Sequence, residues 1–130
     1  MTPLPRTRRG YYLGTRVNGR WWRRYRKWGW LTRGNGEVWI APGGLCFRLY
    51  LTRTIHRIPA RAMCEVGVEE GRWHGATFTG APALRITWRD GADLLVTRFC
   101  LSSSLADTGA WAAALDEIRG ARSGPSPARP

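Results

Sequence analysis

The sequence predicts a mainly β domain of about seven antiparallel strands closed by one C-terminal α-helix. Three observations predict it. Between residues 28 and 101, short apolar runs are interrupted repeatedly by turn dipeptides. Sixteen glycines and eight prolines supply those interruptions. After Ser104 the spacing of apolar residues changes from two to near 3.6. The chain has 130 residues, 43% of them hydrophobic, which suits one globular domain. A chain of this size buries roughly two-thirds of the surface its unfolded form exposes, so a core needs neither disulfide nor metal.

Residues 1–10, with two prolines and three arginines, read as a loose arm. Trp28 to Arg33 is a first apolar run, and Gly34-Asn35-Gly36 after it reads as a tight turn. Glu37 to Ala41 ends at Pro42-Gly43-Gly44. In Leu45 to Leu51, the residues Leu45, Phe47, Leu49 and Leu51 alternate with Cys46, Arg48 and Tyr50, which puts the first set on one strand face. Thr54 to Ile58 stops at Pro59, Met63 to Glu69 stops near Glu70-Gly71, and Trp73 to Thr79 is a weaker run.

The clearest strand is Leu84 to Arg89, with Leu84, Ile86 and Trp88 on one face. Asp90-Gly91 is a hairpin signal, and Leu94 to Leu101 returns. Leu105, Trp111, Leu115 and Ile118 then recur at helical spacing. Ser104 or Asp107 caps that helix over about 104–119, with Gly120 at its end. Residues 120–130, rich in proline, glycine and serine, read as a disordered tail.

Some stretches match a known pattern in order. They are Gly36-Glu37-Val38-Trp39-Ile40, Gly44-Leu45-Cys46-Phe47-Arg48, Ile58-Pro59, Met63-Cys64-Glu65-Val66, Leu84-Arg85-Ile86-Thr87-Trp88 and the terminal helix. This order resembles the pleckstrin-homology-like superfold, most of all its bacterial and GRAM-type members, over residues 28–119. The resemblance implies a partly open barrel. It also implies a non-catalytic binding platform for lipid headgroups, peptides or other proteins, although fold alone never fixes function. In some members a basic loop between the first two strands captures inositol phosphates. Here that loop is Arg33-Gly34-Asn35-Gly36, with one arginine, which argues against specific phosphoinositide binding there. On this reading residues 1–27 form a basic, aromatic-rich N-terminal segment ahead of the domain.

The formal net charge is +12. Residues 1–33 hold ten bases and no acid, whereas the remaining 97 residues hold eleven bases and nine acids. The front quarter therefore carries the field, which attracts phosphates, anionic lipids or acidic proteins. Its densest part is Arg20, Trp21, Trp22, Arg23, Arg24, Tyr25, Arg26, Lys27 and Trp28. A short helix over 19–28, capped by Asn18, would align Trp21, Tyr25 and Trp28 at i, i+4 and i+7, with Arg20, Arg23, Arg24 and Lys27 on another side. An aromatic face beside a basic face suits an anionic membrane interface. The same mixture suits single-stranded nucleic acid, with rings on bases and arginines on phosphates. An acidic protein partner also fits. The competing structural reading makes the rings a cover for one end of the sheet, with arginine stems along apolar surface.

Catalysis and cofactors are not expected. Glu69 and Glu70 are adjacent and point to opposite sides of a strand. Ser102-Ser103-Ser104 is the helix lead-in. His56, His74, Cys46, Cys64 and Cys100 lack metal-ligand spacing, and the odd cysteine count suits reduced, buried thiols. No small-molecule substrate is implied. No apolar run approaches the ~20 residues of a spanning helix, and the first twenty residues lack a signal-peptide core. The expected location is the cytoplasm, peripheral to the membrane if the basic segment docks there.

Overall fold

The computed structural model describes residues 8–19, 25, 28, 34–50, 52–69, 82–101 and 104–123. Among the described residues it is mainly β: seven antiparallel strands in one open sheet, with a single C-terminal helix. The strands are β1 (Arg8–Val17), β2 (Gly34–Ala41), β3 (Gly44–Leu49), β4 (His56–Pro59), β5 (Met63–Glu69), β6 (Ala83–Asp90) and β7 (Asp93–Cys100). Their spatial order is β4-β3-β2-β1-β7-β6-β5. A 3₁₀ turn at Ala60–Ala62 joins the two edge strands, β4 and β5. Pro59 closes edge strand β4, where a missing N–H is tolerated.

The expected start of the domain at residue 28 is corrected by β1. Residues 8–10, expected within a loose arm, open the central strand Arg8–Val17, which is bonded to β2 on one side and β7 on the other. A bulge between Tyr12 and Gly14 hides it from the sequence. Tyr12 points inward opposite Phe99, and after the bulge Thr15 and Val17 point inward opposite Thr97 and Leu95. The inward phase thus moves from even to odd numbers, so no single alternation runs through the strand.

Gly34-Asn35-Gly36 is likewise strand and not a turn, paired with Tyr12, Tyr11 and Gly10. Gly36 is needed because the backbones crowd there: a Cβ would stand 2.2 Å from the Arg48 carbonyl oxygen and 2.8 Å from Leu49 Cα. Trp28 lies in a 3₁₀ turn and not in a strand. The weak run 73–79 lies outside the described residues.

The inward faces meet expectation elsewhere. Leu45, Phe47 and Leu49 of β3, Leu84, Ile86 and Trp88 of β6, and Leu95 and Phe99 of β7 are all buried. The helix α1 (Leu105–Ser123) lays Trp111, Ala112, Ala114 and Leu115 against β5, β6, β3 and the 3₁₀ turn. Each large apolar side chain so buried stabilises by about 1.5–3 kcal/mol. Ser104 Oγ accepts from the Asp107 N–H at 3.1 Å, as an N-cap does. The helix runs past its expected end at 119, through Gly120 to Ser123. One glycine costs about 1 kcal/mol relative to alanine in a helix interior, too little to end one. Residues 124–130 lie outside the described residues.

The outward face of β5–β7 carries an ion-pair ladder. Arg85 and Arg98 stand directly opposite each other on β6 and β7. Glu69 joins them: Arg98 donates to both its oxygens at 2.8 and 3.1 Å, and Arg85 donates at 3.1 Å. Gly67 leaves room for the Arg85 guanidinium, which lies 3.1 Å from where a Cβ would be. The Arg98 hydrogen bonds hold the Glu69 carboxyl below its ordinary value of 4.5. Glu69→Gln leaves two like charges facing, so we expect a loss of about 1–2 kcal/mol at pH 7, between an exposed pair and a buried one. The sign follows from the lowered value: the contribution is full above the unfolded carboxyl's titration and is lost as pH falls through the folded one. Urea unfolding of both proteins from pH 7 to 3 should show the gap closing in acid.

Candidate docking site

Because β1 ends at Val17 and β2 begins at Gly34, residues 18–33 are the connection between the first two strands. The basic segment is therefore part of this connection. This revises the loop assigned from sequence: in place of one arginine, the connection carries Arg20, Arg23, Arg24, Arg26, Lys27 and Arg33, and no acid. Tyr25 and Trp28 are described; Arg20, Trp21, Trp22, Arg23, Arg24, Arg26 and Lys27 lie outside the described residues, as does most of the helix expected over 19–28.

The connection is pinned at three places. The first is a turn at Asn18-Gly19, both in the left-handed region at φ 52° and 76°, which asparagine and glycine tolerate. Asn18, expected as a helix cap, is engaged with the β6–β7 hairpin. Its Oδ1 accepts from the Leu94 N–H at 2.9 Å, its Nδ2 donates to Asp93 at 3.0 Å, and its own N–H donates to the Leu94 carbonyl at 2.7 Å. The strand end is thus locked to the β6–β7 hairpin.

The second pin is Tyr25. Its hydroxyl donates to Asp90 Oδ2 at 2.7 Å, and its ring stands edge-on to Trp88 at 5.4 Å. Burial, then the Asp90 carboxylate, push the phenol well above its ordinary value.

The third is Trp28. It stacks on Trp88 with ring centres 5.5 Å apart and meets Phe47 edge-on at 5.1 Å. Tyr25 and His56 flank it at 5.0 and 5.2 Å. The Trp28 N–H donates to the Tyr25 carbonyl at 3.3 Å, closing one turn between the two anchors.

Tyr25 and Trp28 were grouped from sequence with the docking rings. Both are half-buried and pack against the hydrophobic core. The floor beneath them is stiffened by a polar chain: Trp88 Nε1 donates to Thr97 Oγ1 at 3.0 Å, Thr97 and Thr15 hydroxyls are 2.8 Å apart, and Thr15 and Tyr12 hydroxyls are 2.6 Å apart. Every polar atom in that chain finds a partner, which is what a buried network needs. Sequence reading missed Thr15, Thr97 and Asp90, since their partners are distant in the chain.

His56 is 6% exposed and sits between Trp28 and Phe47. Burial lowers its pKa, so it favours the neutral form. Cys46 is buried, but Cys64 is exposed and Cys100 half-buried, so the expectation of three buried thiols holds for one. His74 lies outside the described residues. Among the described residues no three His, Cys, Asp or Glu side chains gather in a metal-binding group, and no helix is long and apolar enough to cross a membrane.

The connections β1–β2, β3–β4 and β6–β7 leave the sheet at one end, as the registers of Tyr12 with Gly34, Gly36 with Leu49 and Val17 with Leu95 require. Tyr50 and Ile55, 44% and 58% exposed, stand in the β3–β4 connection there, with exposed Arg53 between them. No family model and no curated protein matches the chain.

Proposed function

We propose that the chain is a pleckstrin-homology-like, non-catalytic module that docks on anionic membrane headgroups through its β1–β2 connection. The fold-family reading rests on the sequence motifs named above. The docking reading rests on one observation: the densest acid-free basic stretch of the chain lies between two strands and is anchored by Tyr25 and Trp28. In sequence, Arg20, Arg23, Arg24, Arg26 and Lys27 each stand within two positions of Gly19, Tyr25 or Trp28. Exposed Tyr50 and Ile55 at the same end supply apolar contact beside that charge. The module would work in the cytoplasm, at the membrane surface.

Each base near an anionic surface contributes about 1 kcal/mol. Arg23→Gln, Arg24→Gln, Arg26→Gln and Lys27→Gln together should therefore weaken binding roughly a thousandfold. Co-sedimentation with phosphatidylcholine vesicles, with and without phosphatidylserine, measures it. We expect pelleting that grows with the anionic fraction and is lost in the variant, with an unchanged circular dichroism spectrum. A wild-type chain that stays in the supernatant at low salt excludes membrane docking. A variant that unfolds makes the segment a structural cover.

A further inference from the structure

The molecule has a second basic surface, on the opposite side of the sheet from Tyr25 and Trp28. From Val38 to Cys64 the chain contains Arg48, Arg53, Arg57 and Arg61, and no acid. Folding spreads these over β3, β4 and the turns beside them. On the outward face, Trp39 of β2 stands opposite Cys46 of β3, which stands opposite Arg57 of β4. In the next row, Arg9 of β1 stands opposite Glu37 of β2, which stands opposite Arg48 of β3. Glu37 is the single acid in these two rows, and it is engaged with Arg48 at 3.0 Å. Arg9, Arg53, Arg57 and Arg61 are exposed and form no ion pair among the described residues. The other half of the same sheet contrasts with this: there Arg85 and Arg98 are bound by Glu65 and Glu69.

Edge protection explains a charge on β4, since edge strands use charge to repel further strands. It does not explain Trp39, a half-exposed indole in the interior of an eight-residue strand, two strands in from the β4 edge. Trp39 stands in mid-strand, away from the connections at the ends of the sheet. It adds a half-exposed aromatic ring to a face that otherwise carries arginine. Same-face side chains lie about 6.7 Å apart along a strand and rows about 4.8 Å apart across it. Arg9 on β1 and Arg57 on β4 therefore stand on strands to either side of the one that carries Trp39.

We propose that the outward face of β1–β4 binds single-stranded nucleic acid, with Trp39 stacking on a base and Arg9 and Arg57 contacting the flanking phosphates. Gly43 serves the arrangement by leaving the space the Arg57 guanidinium occupies, 1.9 Å from where a Cβ would stand. Exposed Arg53 and Arg61 continue the charge along the β4 rim. The proposal does not depend on the membrane reading, because Arg9, Trp39 and Arg57 belong to strands and not to the β1–β2 connection.

Fluorescence anisotropy with a labelled oligothymidylate tests it on the full chain. We expect binding whose logarithm falls with log salt, and a loss of about 1.4 in that slope when Arg9→Gln and Arg57→Gln are combined, at about 0.7 per phosphate. Trp39→Ala should weaken binding about tenfold or more, one stacked base's worth. Arg9 and Arg57 are exposed, so their double variant decides the matter even if Trp39→Ala disturbs folding. Polyglutamate should compete poorly, because it has charge and no bases. The proposal is overturned if the wild type does not bind, if both variants bind within twofold of it, or if polyglutamate competes equally. Loss of vesicle pelleting in Trp39→Ala with unchanged oligonucleotide affinity overturns it in favour of a lipid surface.

Discussion

Trp28→Ala should lower the stability of the domain by about 3 kcal/mol, at the lower end of the range for removing a large aromatic side chain, because Trp28 is only half-buried. The ring touches Trp88, Phe47, Tyr12, Tyr25 and His56, so its removal opens a cavity shared by five aromatic neighbours. Trp28→Phe keeps much of that contact and should cost less. The loss should depend on pH. In the wild type, burial keeps the His56 pKa below its ordinary value of 6.5. The unfolded chain then takes up the proton first, so this group's contribution is full above about pH 6.5 and declines as the pH falls. Without Trp28 the imidazole becomes hydrated, its pKa returns towards 6.5, and this slope flattens. Urea midpoints from pH 8 to 5 should therefore show the gap between wild type and variant narrowing in acid. A constant gap would mean that His56 stays dry without the indole. At the alkaline end the buried phenols act in the opposite sense. Tyr12 and Tyr25 are raised above 10, so their contribution is full below that value and is lost only above it.

The same residues show how much of the candidate site was legible in the sequence. The charge segregation is a matter of counting, and no coordinates are needed to see ten bases without an acid. Which rings turn inward is not countable. Tyr25 is held by Asp90, 65 positions away, and Trp28 by Trp88 and Phe47. Those partners meet only after the sheet has formed, so helical spacing within 20–28 groups the rings and leaves their direction open. Trp21 and Trp22 lie outside the described residues.

For the fold, straight strands were legible and crowded or bent ones were not. Leu84, Ile86 and Trp88 alternate without interruption, and the Asp90-Gly91 hairpin delivers Leu95 and Phe99 to the same face. In β1 the bulge at Leu13 reverses the phase halfway, and the arginines on the strand make it resemble a solvated arm. The consequence went beyond one missed strand. Placing the first strand at 28–33 made Arg33-Gly34-Asn35-Gly36 the first interstrand loop. Placing it at Arg8–Val17 makes the basic segment that loop. One local irregularity thus hid the position that carries the functional proposal.

Gly36→Ala should be the most damaging conservative change in the sheet, at about 3 kcal/mol or more, the upper end of overpacking costs. Glycine pairs usually mark turns, and Gly34-Asn35-Gly36 reads so because the signal is conformational freedom. Here the requirement at Gly36 is space. Three strands meet at this point, with Gly10 on one side and Leu49 on the other. The atoms a methyl group would strike are the Arg48 carbonyl oxygen and the Leu49 Cα, both backbone, so no side-chain rotation relieves the contact. Separating β2 from β3 to admit it would strain the ladder that also sets Glu37 against Arg48 and Val38 against Phe47. Gly34→Ala is the matched control, two residues earlier and on the same face. Its new methyl group would lie 3.6 Å from a Leu49 side-chain carbon, an ordinary contact, so it should change stability by less than about 1 kcal/mol and even gain from lower unfolded-state entropy. Thermal or urea unfolding of the pair distinguishes crowding from flexibility. Equal losses at both positions would mean that the strand needs glycine's freedom, and that the tight approach of β2 to β3 is not what excludes a side chain.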